Sequence, residues 1–435
     1  MRRTWTAVAL VAAGMAALYT TARPAALHAQ GGTTAQAGGA VAAQDDPIRT
    51  LVGRLDLEKY KATIKGLTQF GDRRQGTDRN RAANDWIEKQ LRSYGCSDVA
   101  RIKYEYAPAP RTTPAAGEAG RRGAAAAGGR GGGAATGGGQ AAGAQGRGRG
   151  IAAPVKGNRG PTGVNNDPEK QPNAALRALN MQPSTPGPRE EVYCTKVGTT
   201  HPEEMYIVSG HMDGIGYSEG ANDNASGAAL VMELARIFSS PDAQTDRSIR
   251  FVLWNNEETG LNGARAYAEQ RGPLQGKEDP PGSGKYPEPK WLGVIVHDMM
   301  LFDHGMPGPD GKLNPEQRPE ADVNIEFAGT SKMAAQAQEL AWVFKAANDR
   351  YATDYPAVVG NRMSNTDSAA FQDLAPSISL RELERLSQVG AGWDPHWHQP
   401  TDVFTTFSDK DFRLGLNAAQ ITLAAVAQLT GAKVK

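Results

Sequence analysis

Apolar residues recur along this chain in two rhythms, set apart by two long stretches that keep neither. Ala83, Ile87 and Leu91 return at four-residue spacing with Trp86 beside them, placing an apolar stripe on a helix that Asp78 can cap and Gly95 can end. Longer helices are predicted over 226–238, 333–350 and 414–429. Short continuous apolar runs at 205–209, 249–254, 292–296 and 378–380 read as strands buried on both faces. A further strand at 99–106 has its neighbour at 192–197. Strands alternating with amphipathic helices predict an α/β fold, a three-layer α/β/α sandwich around a mostly parallel mixed central sheet.

The first stretch without rhythm opens the chain. Arg2 and Arg3 precede an apolar run from Thr6 to Tyr19, and small residues follow it up to Ala29, the pattern of an export signal over residues 1–29. A run of about 14 residues is short of the ~20 that span a bilayer, so contact with a membrane is expected only through an uncleaved signal. Residues 30–45 are Gly, Ala, Thr and Gln and read as a disordered tether. Residues 112–188, first Gly/Ala/Arg-rich and then Pro/Asn-rich, carry too little apolar surface to offset the cost of ordering and read as a disordered insert. Its Arg147-Gly148-Arg149-Gly150 tract resembles single-strand nucleic-acid binders but lacks interleaved aromatic residues, so no nucleic-acid partner is expected. What remains, 46–111 and 189–435, is roughly 310 residues, the size of one large α/β domain.

Composition narrows the chemistry. The 435 residues carry a formal net charge of +1, too little surplus for a protein whose main ligand is a polyanion. Two cysteines cannot build a disulfide framework or a Cys-rich zinc module. Cys96 and Cys194 flank the insert, and in an exported chain they are either one bridge or two small buried side chains.

Ionisable residues gather where the predicted strands end. The strand at 205–209 runs into Gly210-His211-Met212-Asp213, that at 249–254 into Asn255-Asn256-Glu257-Glu258, and that at 292–296 into His297-Asp298. In an open α/β sheet the carboxyl ends of the strands are where ligands bind, so these groups should converge on one crevice. Gly220-Ala221-Asn222-Asp223 supplies a further carboxylate from a tight loop, and His398-Gln399-Pro400-Thr401-Asp402 a late histidine. Two imidazoles and several carboxylates suit a pair of divalent ions bridged by one carboxylate, with a free carboxylate to move a proton.

These motifs, Gly-His-Met-Asp at 210–213, Gly-Ala-Asn-Asp-Asn-Ala-Ser-Gly at 220–227, Asn-Glu-Glu-Thr-Gly at 256–260, His-Asp-Met at 297–299 and His-Gln-Pro-Thr-Asp at 398–402, resemble the two-zinc aminopeptidase family, metallopeptidase family twenty-eight, with its secreted bacterial leucyl-type members. The likeness covers 48–111 and 189 to the C-terminus. It implies an exported, periplasmic or secreted zinc exopeptidase that removes N-terminal residues from peptides through a zinc-held hydroxide. Carried over residue by residue, it implies that His211 and Asp298 bind one Zn2+, Glu258 and His398 the second, and Asp223 both. Glu257 would be the general base, Asp213 and Asp402 would orient the ligands, and a cis peptide is implied at Asp223-Asn224. Carboxypeptidase and glutaminyl cyclase activities share this scaffold, as do non-catalytic binding relatives that lose ligands, whereas all five ligands and the base stand in this chain.

Neighbouring residues compete for some of these roles. His396 is the alternative to His398, whose spacing to Asp402 fits the family pattern; His297 should face away from Asp298 on its strand and pack. His201 and His304 lie in polar loops and are assigned no function. Asp213 could accept the second N–H of His211. Asp367, in Ser364-Asn365-Thr366-Asp367-Ser368, is either a substrate-positioning carboxylate or a turn residue. Trp397 stands where some family members have a tyrosine that steadies the tetrahedral intermediate, leaving Trp397, Tyr217 and Tyr355 as candidate donors.

Overall fold

A computed structural model describes residues 46–96, 98–106, 163–302, 323–361, 366–382 and 394–435. The signal, the tether, the Arg147–Gly150 tract, Ser364, Asn365 and His304 lie outside them. The described residues fall within one compact unit, Asp46–Lys435. None of their helices is long and apolar enough to cross a membrane.

Among the described residues there are eight α-helices: α1 (Pro47–Val52), α2 (Leu57–Thr68), α3 (Asp78–Ser93), α4 (Ala174–Asn180), α5 (Gly227–Phe238), α6 (Asn262–Arg271), α7 (Ala334–Tyr351) and α8 (Asp409–Leu429). The strands are β1 (Asp98–Tyr104), β2 (Arg189–Lys196), β3 (His201–His211), β4 (Ala243–Gln244), β5 (Arg247–Trp254), β6 (Lys290–His297), β7 (Val323–Phe327), β8 (Ala357–Gly360), β9 (Ser377–Glu382) and β10 (Lys433–Val434). Eight of them form one sheet in the order β1-β2-β5-β3-β6-β9-β7-β8, while β4 and β10 pair separately. The centre, β5-β3-β6-β9, is parallel, and antiparallel pairings flank it at β1–β2, β2–β5 and β9–β7.

Alternation along the strands decides which helices cover which face. Tyr206 and Val208 of β3, with Ile249, Phe251 and Leu253 of β5, pack into a core shared with α1, α2, α3, α5, α7 and α8. Met205 and Ile207 of β3, with Val252 and Trp254 of β5, point the other way onto Ala264, Tyr267 and Ala268 of α6 and onto Phe371. The sandwich therefore has three layers of unequal weight. Both central strands are apolar on both faces, which is why they read as continuous apolar runs.

Two local expectations change. The cap of α3 is Thr77, whose hydroxyl accepts the Asn80 N–H, while Asp78 sits in the first turn beside the helix dipole. Gly95 does follow the helix in a left-handed conformation, with φ of 85°. Residues 163–188, expected to be disordered, instead include a short 3-10 turn at Pro168–Lys170 and the helix α4. Polar anchors hold this segment: the Asn180 amide donates to the Ser218 carbonyl at 2.6 Å, and its oxygen accepts the Asp72 N–H at 3.1 Å. Low hydropathy is thus compatible with order when amide side chains satisfy neighbouring backbone groups. Cys96 and Cys194 form a disulfide that ties the end of α3 to β2, with Cα atoms 6.1 Å apart.

Candidate active site

The parallel neighbours β5, β3 and β6 end side by side, and their carboxyl ends bring the predicted residues together. His211 closes β3; its Nε2 lies 3.4 Å from an Asp223 oxygen and 3.4 Å from an Asp298 oxygen. The other Asp223 oxygen lies 3.1 Å from His398 Nε2, which is 2.9 Å from Glu258. The Asp223 carboxylate therefore stands between two imidazoles, each with a second carboxylate partner. Atoms of His211, Asp223 and Glu258 all lie within 4.8 Å of one another. Glu257 adjoins Glu258 beyond β5, and its backbone N–H donates to the Asp213 carboxylate at 3.1 Å.

Backbone contacts fix these groups. Asp402 accepts the Asn222 N–H at 2.7 Å and the Asp223 N–H at 3.0 Å, one carboxylate oxygen for each. The turn containing Asp223 grips the chain after β6 residue by residue: Asn224 accepts the Met299 N–H, Ser226 the Met300 N–H and Asn222 the Leu301 N–H, at 3.2, 3.1 and 2.9 Å. The Asn-Asp-Asn-Ala-Ser sequence thereby locks the Asp223 turn to the strand end that presents Asp298. The Asp223-Asn224 peptide is cis.

Arg73 is the largest contribution that sequence reasoning missed. Fully buried, it donates to the carbonyls of Met212, Gly71, Glu219 and Gly220 at 2.6 to 2.9 Å, clamping both ends of the loop that leads from His211 to Asp223. Its charge also acts on Asp72, Asp402, Asp213 and Asp223. The one available signal was its place in Gly71-Asp72-Arg73-Arg74-Gln75-Gly76, a charged cluster between glycines.

The donor set asks for positive charge. Burial opposes ionisation of His211, yet the carboxylates of Asp298, Glu257 and Asp223 push its pKa well above the usual imidazole range. His398 is raised likewise against its burial by Glu258 and Asp223. Burial pushes Glu258 up to about 7 and Glu257 well above the carboxylate range. Among the described residues, no Lys or Arg forms an ion pair with Asp223, Glu257, Glu258, Asp298 or Asp367. One Glu258 oxygen is buried without a hydrogen-bond partner among these residues. The separations of 2.9 to 3.4 Å between donor atoms resemble the edges, ~3.3 Å, of a tetrahedron of N and O ligands at about 2.0–2.1 Å from a cation. The residues fit a pair of divalent ions.

Other predicted residues fall as follows. Asp213 does not orient His211 through its carboxylate, which is 3.8 Å from the ring; its backbone carbonyl lies 3.0 Å from Nδ1 instead, leaving the carboxylate to hold the Glu257 backbone. His297 is packed on the opposite face, between the Ser209 carbonyl at 3.0 Å and the Thr422 hydroxyl at 2.8 Å. His396 turns to Thr401 at 2.8 Å, with Phe302 and Phe407 against its ring. His201 starts β3, far along the strand from His211. Tyr355 is removed as an oxyanion donor, because its hydroxyl donates to the Lys410 carbonyl at 2.9 Å within the helical core. Trp397 stacks on His398 with centroids 4.1 Å apart. Asp367 is fully buried with neither oxygen hydrogen-bonded among the described residues; burial and the charges of Asp213, Asp298 and Glu258 push its pKa well up.

Comparison with known proteins places this arrangement. The profile of Peptidase family M28 matches residues 191–420, more than half of the chain. Aminopeptidase YwaD of Bacillus subtilis (strain 168) is 39% identical over 69 residues, which are 16% of this chain and 14% of that protein. Carboxypeptidase Q of Xenopus laevis is 38% identical over 73 residues, 17% of this chain and 16% of the relative. The chain therefore matches less than a fifth of the length of either relative. Among solved structures, BSAP, a zinc aminopeptidase from Bacillus subtilis, superposes with a TM-score of 0.53 at 17% identity, covering 86% of this chain and 95% of that one. That likeness is one of fold.

Proposed function

We propose that this chain, which belongs to peptidase family M28, is a zinc-dependent exopeptidase that hydrolyses N-terminal residues from peptides. The observation that carries the reading is the Asp223 carboxylate set between His211 and His398, with Asp298 and Glu258 on the outer sides and Glu257 adjoining. His211, Asp298 and Asp223 would hold one ion, and His398, Glu258 and Asp223 the other. Two imidazoles with carboxylates suit zinc, and the Bacillus subtilis neighbour is described as a zinc aminopeptidase. Such a pair of ions polarises a carbonyl and lowers the pKa of a water.

The chain's own residues supply the rest. Glu257, its pKa raised by burial, accepts the proton of the attacking water and returns it to the leaving amine. Asp213 holds the Glu257 backbone, and so the base, in place. Its carbonyl accepts from His211 Nδ1, leaving Nε2 as the ligand atom. Asp402 fixes Asp223 through two backbone N–H groups.

Donor and acceptor chemistry supports amino- over carboxypeptidase action. Asp367, buried beside the ligands with neither oxygen hydrogen-bonded among the described residues, offers acceptor oxygens to a substrate's α-ammonium. The reading extends to export through residues 1–29, which the Cys96–Cys194 bridge supports because such bridges persist in oxidising compartments.

The test is hydrolysis of a panel of aminoacyl anilides beside their N-acetylated counterparts, with and without a chelator. Cleavage of the free-amine substrates alone, abolished by chelation and restored by zinc, is expected. Release of C-terminal residues from N-blocked peptides would replace this reading with carboxypeptidase action.

A further inference from the structure

We propose that Gln171, in the segment just before α4, is a positioning residue for His398 and so for the ion that His398 shares with Glu258. The inference rests on the two-ion reading above. It starts from a difference between the two histidines. His211 has its Nδ1 against the Asp213 carbonyl at 3.0 Å, whereas the buried Nδ1 of His398 has no hydrogen-bond partner among the described residues. A metal-binding histidine is usually oriented through its second nitrogen, so His398 must be oriented by other means.

The backbone supplies them. His398 has φ of 55°, a conformation unusual for a residue with a side chain, and its carbonyl accepts the Asn165 N–H at 3.0 Å. The next residue, Gln399, donates its amide to the Gly163 carbonyl at 2.8 Å. The Pro400 carbonyl accepts from Gln171 Nε2 at 3.0 Å. The same nitrogen donates to the Tyr217 carbonyl at 2.7 Å, and Asn165 Nδ2 donates to the Gly216 carbonyl at 3.2 Å. Residues 163–171 thus strap the loop carrying His398 to the loop leading from His211 to Asp223. The two loops already touch so closely that a Cβ on Gly216 would stand 2.5 Å from the His398 carbonyl oxygen.

Gln171 is the side chain that closes the strap. It is 2% exposed, and its oxygen accepts the Asn173 N–H at 3.0 Å while its nitrogen serves both loops. A leucine of similar size leaves the Tyr217 and Pro400 carbonyls without their buried donor and frees the loops to part.

The experiment is calorimetric titration of the metal-free full chain with zinc, comparing wild type with Gln171→Leu and with Gln171→Glu, which keeps the acceptor and loses the donor. The expected result is one ion bound with wild-type affinity and the second weakened about 10–100-fold. Should Gln171→Leu not fold, Gln171→Glu is read by the same criterion. Two ions bound unchanged in the variants, or both weakened alike, overturns the proposal. A wild-type chain that binds fewer than two ions overturns the two-ion reading itself, and this inference with it.

Discussion

His297 and Asp298 are adjacent in the chain and opposite in chemistry, because strand alternation sends one side chain into the helical layer and the other into the crevice. Burial lowers the pKa of His297 to about 4. Between pH 4 and the ordinary imidazole value of about 6.5, the unfolded chain binds a proton there that the folded chain does not, so stability falls as pH drops through this window. The full shift corresponds to roughly 3 kcal/mol. Urea unfolding at pH 7 and pH 4.5 should show that loss in the wild type and a smaller one in His297→Gln. Asp402 carries a second prediction: with its carboxylate accepting two backbone N–H groups around Asp223, Asp402→Asn should lower zinc affinity about 10–100-fold, measured by chelator competition. The convergence of the proposed ligand residues was legible because their types and order suit metal chemistry. The route by which Asp213 acts was not, since a carboxylate two residues from a histidine can reach the ring by side chain or by backbone.

The central strands announced themselves through apolar runs, and each of the four contains its predicted run with two to six further residues in all. The pairings β7–β8 and β7–β9 went unseen because Val323–Phe327 mixes Asn324 and Glu326 with apolar residues, although all five positions are buried. The clamp by Arg73 was equally hidden, since nothing in a residue type tells a buried arginine from a solvated one. Four backbone carbonyls depend on it. Arg73→Met should therefore destabilise the protein by at least about 3 kcal/mol in urea unfolding, and loosen metal binding as the His211–Asp223 loop relaxes.

Over the described residues the chain forms one α/β sandwich whose candidate active-site edge is finished by a polar strap. Apolar patterning accounted for the sandwich and for β1 and β2 as neighbours across the long insertion, which the structure pairs antiparallel. It could not account for residues 163–188, where Asn165, Gln171 and Asn180 anchor the chain through amide-to-carbonyl bonds that hydropathy does not weigh. The Cys96–Cys194 bridge spans 98 residues of sequence, including that insertion. Closing so long a loop restricts the unfolded chain, so the double variant Cys96→Ala/Cys194→Ala should lose about 2–5 kcal/mol in denaturant unfolding while keeping its fold in water.

The most direct test of the account is the zinc stoichiometry and turnover of Glu257→Gln on a free-amine aminoacyl anilide. The variant should keep two ions and lose turnover by about 10²–10⁴-fold, because the base is removed while every proposed ligand remains. A variant with two ions and wild-type turnover would contradict the assignment of Glu257, and with it the proposed mechanism.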